Sequence, residues 1–228
     1  MSLPLGAEIQ ILSAERPQRV RLSGRYIRLE PLDSHAHAPA LWAAAGGPQH
    51  EELWTYLPDG PYFDRPSFDA SLKAKAASVD PLYFAIVDSR TSAAAGYASY
   101  LRIEPKHRCI EVGSILYGPE LRQTAGATEA MFLMARHAFE DLHYRRYEWK
   151  CNALHAGSRR AAMRLGFTFE GIFRQHMIVK GRNRDTAWFS MLDSEWPTRR
   201  VALERWLDPA NFDSEGRQKK KLSECAYS

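Results

Sequence analysis

The fold is decided by residues 111–130, EVGSILYGPELRQTAGATEA. The first part of this stretch belongs to Cys109–Tyr117, which is rich in β-branched and aromatic residues and predicts a strand. Gly118-Pro119 ends the strand, and apolar residues then recur with the helical period of about 3.6. One face of the predicted helix, which ends near His143, carries Met131, Met134, Ala135, Ala138 and Leu142. We interpret this face as ordinary core rather than as a binding surface.

The junction between this strand and this helix has a second possible use. A strand that delivers small residues to the start of a helix gathers unpaired backbone N–H groups and the positive end of the helix dipole at one point. Such a point suits a pyrophosphate. Glycine and alanine in such turns also permit close packing, and the residues alone leave both interpretations open.

Strand-like and helix-like blocks alternate on both sides of this stretch. Upstream, the pattern predicts a strand over Val20–Leu29, helices over Ser34–Ala45 and Ser67–Ala77, and strands over Leu82–Val87 and Ala95–Ile103. Downstream, it predicts a strand over Arg146–Cys151, a helix over Ser158–Leu165, and strands over Phe167–Lys180 and Thr186–Leu192, joined in a hairpin through Gly181-Arg182-Asn183. This order indicates a protein of the α/β (α+β) class.

The 228 residues are interpreted as one globular domain, because the 45% hydrophobic share can fill a single core. We expect this domain to span residues 20–208. A weakly ordered N-terminal extension is expected at 1–19 and a polar, loose C-terminal tail at 209–228.

The composition argues against several classes of function. No apolar run approaches the roughly 20 residues that cross a bilayer, and no secretory signal pattern opens the chain, so we expect a cytoplasmic protein without a membrane partner. Cys109, Cys151 and Cys225 form no CxxC pair, and no His-Glu-x-x-His motif occurs, so neither a disulfide framework nor a metal site is expected. The net charge is only +4, and the longest basic run, Lys219–Lys221, lies in the polar tail, so nucleic-acid binding is not expected.

The central stretch resembles the coenzyme A signature of the GNAT superfamily of N-acetyltransferases, and its RimJ/RimL-like branch in particular. Matching positions there are Glu111 and Gly113 on the strand, then Arg122, Ala127 and Thr128-Glu129-Ala130. Further matches are Ser158, Leu165-Gly166-Phe167, Glu170-Gly171, Asp185, Phe189-Ser190 and Glu195-Trp196. The resemblance covers residues 20–197 and implies a central twisted, mixed but mostly antiparallel sheet of about six or seven strands flanked by about four helices.

The resemblance implies acetyl-CoA as the cosubstrate. Its binding residues would be Leu116, Tyr117, Arg122, Gln123, Thr124, Ala125, Gly126, Ala127, Thr128, His155 and Ser158. Three positions depart from the branch: its central glycine falls at Ala125, its asparagine at His155, and the tyrosine that protonates the departing thiolate at Ala162. The general acid is therefore not identified by the resemblance.

The resemblance also implies catalytic roles. An amine attacks a thioester only when it is unprotonated, and a lysine amine has a pKa of about 10.4, so a base or a water chain must collect a proton. We choose Glu111, beside the strand that splays open in relatives to hold pantetheine. The Leu116 backbone N–H could donate to the thioester oxygen, and Ser158 or a bound water could reprotonate the thiolate.

Two of these residues also have purely structural interpretations. Glu111 could be a solvent-facing strand residue paired with a lysine or arginine across the sheet. Ser158 could be the N-cap of the helix that it opens.

The acceptor side is less defined. In relatives, the segment holding Trp54 and Tyr56 borders the acceptor amine, and these two side chains with Glu111 would form the substrate site. Glu51 or Glu52 could attract a cation there. Alternatively, Trp54 and Leu57 pack inward over the sheet edge.

The leading hypothesis is acetyl transfer from acetyl-CoA to a primary amine, either a protein N-terminus or a small molecule, by direct attack in a ternary complex. The alternative is a non-catalytic acyl-CoA-binding or regulatory module. A nucleic-acid-binding protein that uses the basic tail is a third class. Exposed strand edges make a homodimer possible.

Overall fold

The fold is built on one mixed β-sheet. A computed structural model of the chain describes residues 3–9 and 13–225. The strands in these ranges are β1 (Leu22–Ser23), β2 (Ile27–Pro31), β3 (Leu82–Asp88), β4 (Ala94–Glu104), β5 (Cys109–Tyr117), β6 (Arg146–Asn152), β7 (Thr168–Val179) and β8 (Arg182–Leu192). The α-helices are α1 (Ala38–Ala45), α2 (Arg65–Ala77), α3 (Ala125–Arg136), α4 (Ala156–Arg164), α5 (Trp196–Leu207) and α6 (Leu222–Cys225).

The sheet has the order β1-β2-β3-β4-β5-β6-β8-β7. Every neighbouring pair is antiparallel except β5 and β6, which run parallel. The prediction of a mixed, mostly antiparallel sheet is confirmed. The described part of the chain contains eight strands rather than six or seven, because the predicted strand Val20–Leu29 is two short strands.

A buried carboxylate explains why that strand is divided. Glu129 of α3 accepts hydrogen bonds from the backbone N–H groups of Arg25 and Tyr26, at 2.7 Å each, and of Ile27 at 2.9 Å. A Cβ atom at Gly24 would collide with this carboxylate, so a larger residue there would displace Glu129 from its three donors. The contact interrupts the strand and ties the β1–β2 turn to α3.

The helices form one layer on each face of the sheet. Residues of α3, α4 and α5 share one apolar cluster with the sheet, and residues of α1 and α2 share a second cluster with β3 and β4. All members of the predicted apolar face of α3 are buried in the first cluster, which confirms their assignment to the core.

The third helix ends earlier than the periodicity predicts. Its α-helical part stops at Arg136, and a π-helical turn, His137–Asp141, continues the same face. The Tyr100 hydroxyl donates to the Met134 carbonyl at 2.6 Å next to this change. A side-chain donor that competes for a helix carbonyl is a common neighbour of such a local widening.

The C-terminal region departs most from expectation. Helix α5 was not predicted, and the tail that we expected to be loose packs against the domain. Leu222 and Cys225 are buried in the first apolar cluster, and the Asn211 side chain bonds to the backbone of Trp206 and Lys220. These contacts hold the polar tail in place, although the domain boundaries themselves stay a prediction.

Replacing Glu129 tests how strongly the β1–β2 turn depends on α3. Glu129→Ala leaves three backbone N–H groups without their acceptor, and we expect a loss of about 3 kcal/mol in the free energy of unfolding. Denaturant unfolding measures it, with the exposed Glu120→Ala as the matched control. Equal stability of the two variants would contradict the role of Glu129.

Candidate active site

The sheet opens between its two parallel strands. β5 and β6 pair only from Cys109 with Arg146 to Val112 with Trp149. Beyond that point β5 stays with β4 as far as Tyr117, and β6 stays with β8 as far as Asn152. We call the space between the diverging ends of β5 and β6 the opening. It leaves backbone N–H and C=O groups in the middle of the sheet without their usual strand partner.

A β-bulge shapes the β5 side of the opening. Between the pairs Tyr97–Leu116 and Ser99–Gly113, β5 has one residue more than β4. Ser114 has a φ of 48°, in the left-handed region that non-glycine residues rarely adopt. Bulges of this kind redirect a strand next to functional sites. Here the bulge separates the catalytic candidates Glu111 and Leu116.

The loop before α3 leads into the N-terminus of the helix. Thr124 is the N-cap of α3, and its hydroxyl accepts from the Ala127 N–H at 3.1 Å. The N–H groups of Ala125 and Gly126 have no acceptor inside the helix and lie at the positive end of its dipole. Gln123 before them has a φ of 60°. This geometry suits a pyrophosphate.

Packing also determines the sequence of this loop. A Cβ atom at Gly126 would lie 2.9 Å from Ile27 Cγ2, so the close approach of α3 to β2 requires this glycine. The packing interpretation therefore holds for Gly126 together with the anion-site geometry.

The predicted cofactor residues of this region divide into two groups. Arg122 and Gln123 are exposed. Ala127 and Thr128 are buried, and their N–H groups are bonded to Thr124. The Thr128 hydroxyl accepts from Arg164 at 3.1 Å, so its polar group is directed to α4. A ligand would meet the first group and the start of the helix.

Glu111 is buried beside the opening and only 5% exposed. Its Oε2 accepts from Lys150 Nζ at 2.9 Å and lies 3.6 Å from Arg102 Nε. Burial raises the pKa of the Glu111 carboxyl, and the charges of Lys150 and Arg102 oppose this rise. The residue is paired across the sheet as the structural alternative expected, but it does not face bulk solvent.

Lys150 continues this interaction along the sheet. It donates to Glu148 at 2.6 Å, and its Nζ lies 3.8 Å from the Trp188 ring centroid. Sequence analysis did not identify Lys150 or Trp188. The alternation of β6 and the pairing of Lys150 with Trp188 would have placed both on the face of Glu111, had the strand order been known.

Ser158 occupies a different position in α4 from the one expected. The N-cap is His155, whose Nδ1 accepts from the Ser158 N–H at 3.4 Å, so the N-cap interpretation of Ser158 is wrong. The Ser158 hydroxyl accepts from Trp149 Nε1 at 3.0 Å. It also hydrogen bonds to the Cys151 sulfur, which opposes the rise that burial gives to the pKa of that thiol. Ala162, at the position of the missing tyrosine, is fully buried and offers no acid.

The predicted aromatic wall is only partly present. Trp54 is buried, and its indole donates to the Ala45 carbonyl at 2.8 Å. Its side chain belongs to the core, as the alternative interpretation expected, and this corrects its assignment to the acceptor site. The Tyr56 ring stacks on His155, with centroids 4.3 Å apart and planes at 15°. Residues expected on the acceptor and the cofactor sides therefore touch.

The hairpin of β7 and β8 closes the other border. Lys180 at its tip donates to the Trp54 carbonyl at 2.8 Å. His176 lies in an irregular part of β7 and shares a hydrogen bond of 3.0 Å with the Thr186 hydroxyl. Sequence analysis did not identify either residue, because only the fold brings the hairpin to Trp54.

The described residues contain neither a metal-binding cluster nor a membrane-spanning helix. Within 3–9 and 13–225, no group of three or more histidine, cysteine, aspartate or glutamate side chains is placed to hold a metal ion. No helix in these ranges is long and apolar enough to cross a membrane.

Comparisons with known proteins agree with this geometry. Residues 27–168 match the family described as Acetyltransferase (GNAT) domain. A crystal structure of a GCN5-related N-acetyltransferase from Brucella melitensis is 48% identical, with a TM-score of 0.94 over 96% of this chain and 100% of that one. A GNAT-family protein from Chromobacterium violaceum is 38% identical, with a TM-score of 0.77 over 86% of this chain and 100% of that one.

A more distant structure shares the fold. It is an acetyl transferase from Salmonella typhimurium that modifies the N-terminal serine of ribosomal protein L7/L12, and it is 18% identical, with a TM-score of 0.63 over 74% of this chain and 96% of that one. No curated protein matches the chain. These comparisons define the class of protein as acetyltransferases. The chain belongs to the GNAT family of acetyltransferases.

The contact between Lys150 and Glu111 yields a test that needs no substrate. Because the ammonium of Lys150 lowers the pKa that burial raises, Lys150→Gln should move the Glu111 pKa further upward. Carboxyl ¹³C NMR of labelled glutamates follows that titration, and the exposed Lys73→Gln serves as control. An unchanged or lower Glu111 pKa in Lys150→Gln would contradict the assigned pairing.

Proposed function

We propose that this protein transfers an acetyl group from acetyl-CoA to a primary amine by direct attack in a ternary complex. The observation that carries the proposal is a buried glutamate with a raised pKa at the point where β5 and β6 separate. A carboxyl group whose pKa is moved toward neutral pH is suited to general base catalysis.

The cosubstrate has a matching surface on this chain. The N–H groups of Ala125 and Gly126, with the exposed Arg122, suit the pyrophosphate. The opening provides unpaired backbone groups on which pantetheine could hydrogen bond, at the level of Leu116 and Tyr117. The Leu116 N–H is our candidate donor to the thioester oxygen, a role that requires no side chain.

Glu111 is the candidate base. Its Oε2 is occupied by Lys150, whereas no side chain in the described ranges engages Oε1. A Cβ at Gly113 would lie 3.3 Å from that oxygen, so the glycine keeps space beside it. The Oε1 atom can accept a proton from the acceptor amine, directly or through one water.

Ser158 is the candidate proton donor to the leaving thiolate. Its hydroxyl accepts from Trp149 and contacts the Cys151 sulfur, so its proton would turn from Cys151 to the thiolate. Serine thereby could take the place of the tyrosine that Ala162 replaces.

The alternative is an acyl-CoA-binding module without turnover. Two observations favour it: Ala125 stands at the position of the central glycine, and Ala162 removes the usual acid. Binding without thiol release would distinguish this module from an enzyme.

Several coarser features remain our proposals as well. We place the protein in the cytoplasm, with a domain at 20–208, an extension before it and a tail after it. The long, exposed edge strand β7 suits a homodimer contact. No membrane, nucleic acid or metal partner is proposed.

Acetyl-CoA binding and turnover are tested together. At about 100 times its Kd, acetyl-CoA should raise the free energy of unfolding by about 2.7 kcal/mol, measured by thermal or denaturant unfolding. We expect primary amines to release free thiol, detected with a thiol reagent. Stabilisation without thiol release from a broad amine panel would support the module instead.

Replacement of Glu111 tests the base. Glu111→Gln should lower kcat by about 100-fold or more, since general base catalysis supplies that range, while acetyl-CoA affinity stays unchanged. Glu120→Gln, an exposed carboxylate, is the control. An unaltered kcat would remove Glu111 from the mechanism.

The pH profile gives an independent check. A base acts only when deprotonated, so kcat/KM should fall as the pH drops through the pKa of Glu111. Because burial raises that pKa, the fall should lie above the range of an exposed glutamate. It should be absent in Glu111→Gln, and its persistence there would assign it to another group.

A further inference from the structure

Near the end of β6, Arg184 of β8 has an Nε without a hydrogen-bond partner among the described residues. β6 ends at Asn152, opposite Thr186, and Arg184 lies two residues beyond on β8, paired only with Met177 of β7. Its Nε is buried and has no hydrogen-bond partner in residues 3–9 and 13–225. Within the same ranges, no carboxylate forms an ion pair with its guanidinium.

The groups that act on Arg184 come from both sides of the opening. Burial lowers the pKa of its guanidinium, and the Cys151 sulfur on β6 and the Glu111 carboxyl on β5 act in the opposite direction. Burial lowers the pKa of the His176 imidazole, and the charges of Arg184, Arg102 and Lys150 lower it further. Arg184 therefore lies within electrostatic range of the candidate base.

Arg184 differs from the other two cations near Glu111. Lys150 is paired with two glutamates, and Arg102 lies 3.6 Å from Glu111. Arg184 alone of these three has no carboxylate within ion-pair distance in the described part of the chain. A partly buried guanidinium without an anion is costly, and a ligand anion would remove that cost.

The coenzyme phosphates have other cations. Burial lowers the pKa of His155, at the start of α4, and the charges of Arg122 and Arg160 lower it further. Arg122 also precedes the candidate pyrophosphate site. The charge of Arg184 is not among those that lower the His155 pKa. Trp188 lies four residues further along the same face of β8 and packs against Phe173, with ring centroids 4.5 Å apart. The Trp188 Nε1 is a second buried donor without a partner in the described residues.

We propose that Arg184 binds a carboxylate of the acceptor, so that the acceptor is an amino acid or peptide carrying a carboxylate near its reacting amine. This inference rests on the proposed acetyl transfer. The amine would lie toward Glu111 and the carboxylate at Arg184, so the opposite charges of the acceptor meet opposite charges of the site. Planar pairing of guanidinium with carboxylate fixes orientation as well as affinity.

The reaction preserves this contact. The amine nitrogen forms a bond to the acetyl carbonyl carbon, the carbon–sulfur bond breaks, and sulfur leaves with the electron pair. One amine proton passes to Glu111, and the thiolate takes a proton from Ser158 or water. The acceptor carboxylate is unchanged throughout, so Arg184 acts as a specificity-determining residue.

Matched acceptors test the proposal. Several L-amino acids, with L-phenylalanine among them, are compared with their carboxamides by thiol release. The amine of the carboxamide is less basic, so a larger fraction of it is unprotonated near neutral pH, and a preference for the acid there must come from the site. For wild type we expect kcat/KM to favour the acid by about tenfold, as for a charged hydrogen bond. Arg184→Gln should bring the ratio close to one, and Arg184→Lys should retain part of it.

Controls separate this effect from general damage. Arg182→Gln changes an exposed arginine on the same face of β8 and should keep the wild-type ratio. Glu111→Gln should slow both acceptors and leave the ratio unchanged. Peptide amides that differ only by Glu or Gln at the second position distinguish a side-chain carboxylate from an α-carboxylate.

The outcomes are distinct from those of the proposed function. Equal wild-type rates for acids and amides, including the peptide pairs, or a preserved ratio in Arg184→Gln, would overturn the anion site while leaving acetyl transfer intact. If no amine reacts, the proposal of acetyl transfer is wrong. Calorimetry then measures the binding of acids and amides to the CoA-loaded protein and tests whether Arg184 binds a carboxylate. Acid binding weakened about tenfold in Arg184→Gln supports the site, and unchanged or absent binding overturns it.

Discussion

The structure depends on the limited pairing between its two parallel strands. β5 and β6 share a ladder only as far as Val112 and Trp149, after which each follows its antiparallel neighbour. A closed ladder would satisfy the backbone and leave no cleft in the sheet. Because the strands separate, backbone groups without a strand partner and the buried carboxylate of Glu111 lie on the central strands, between the two helical layers.

The separation also sets the electrostatics of the site. Glu111 is the second-last β5 residue of the ladder, so its side chain is buried by the sheet yet adjacent to the opening. Lys150 keeps it from being an isolated buried charge, and Glu148 balances Lys150 in turn. Burial and ion pairing act on the Glu111 pKa in opposite directions, with burial the larger effect. A carboxylate in this balance can accept a proton and still belong to a stable core.

Much of the fold could be predicted from sequence because the informative patterns are local. The period of α3, the alternation of β5 and β6, and the glycine and proline turns each depend on neighbouring residues. The division of the first strand could not be predicted, because it results from hydrogen bonds to Glu129, about a hundred residues away in the chain. Helix α5 begins with Trp196-Pro197 and packs Trp196 against Phe139 and Trp206 against Phe212, so its stability comes from contacts that a local pattern does not contain. For the site, residue types indicated Glu111 and the α3 loop, whereas the contact of Lys150 with Glu111 arises only through the strand order.

We place the acyl donor in the opening between β5 and β6, and a crystal structure of the protein with coenzyme A tests this placement. We expect pantetheine between Gly113–Tyr117 and Lys150–Asn152, with the pyrophosphate on the N–H groups of Ala125 and Gly126. Coenzyme A bound elsewhere, or β5 and β6 paired through to Leu116 with no space between them, would contradict it.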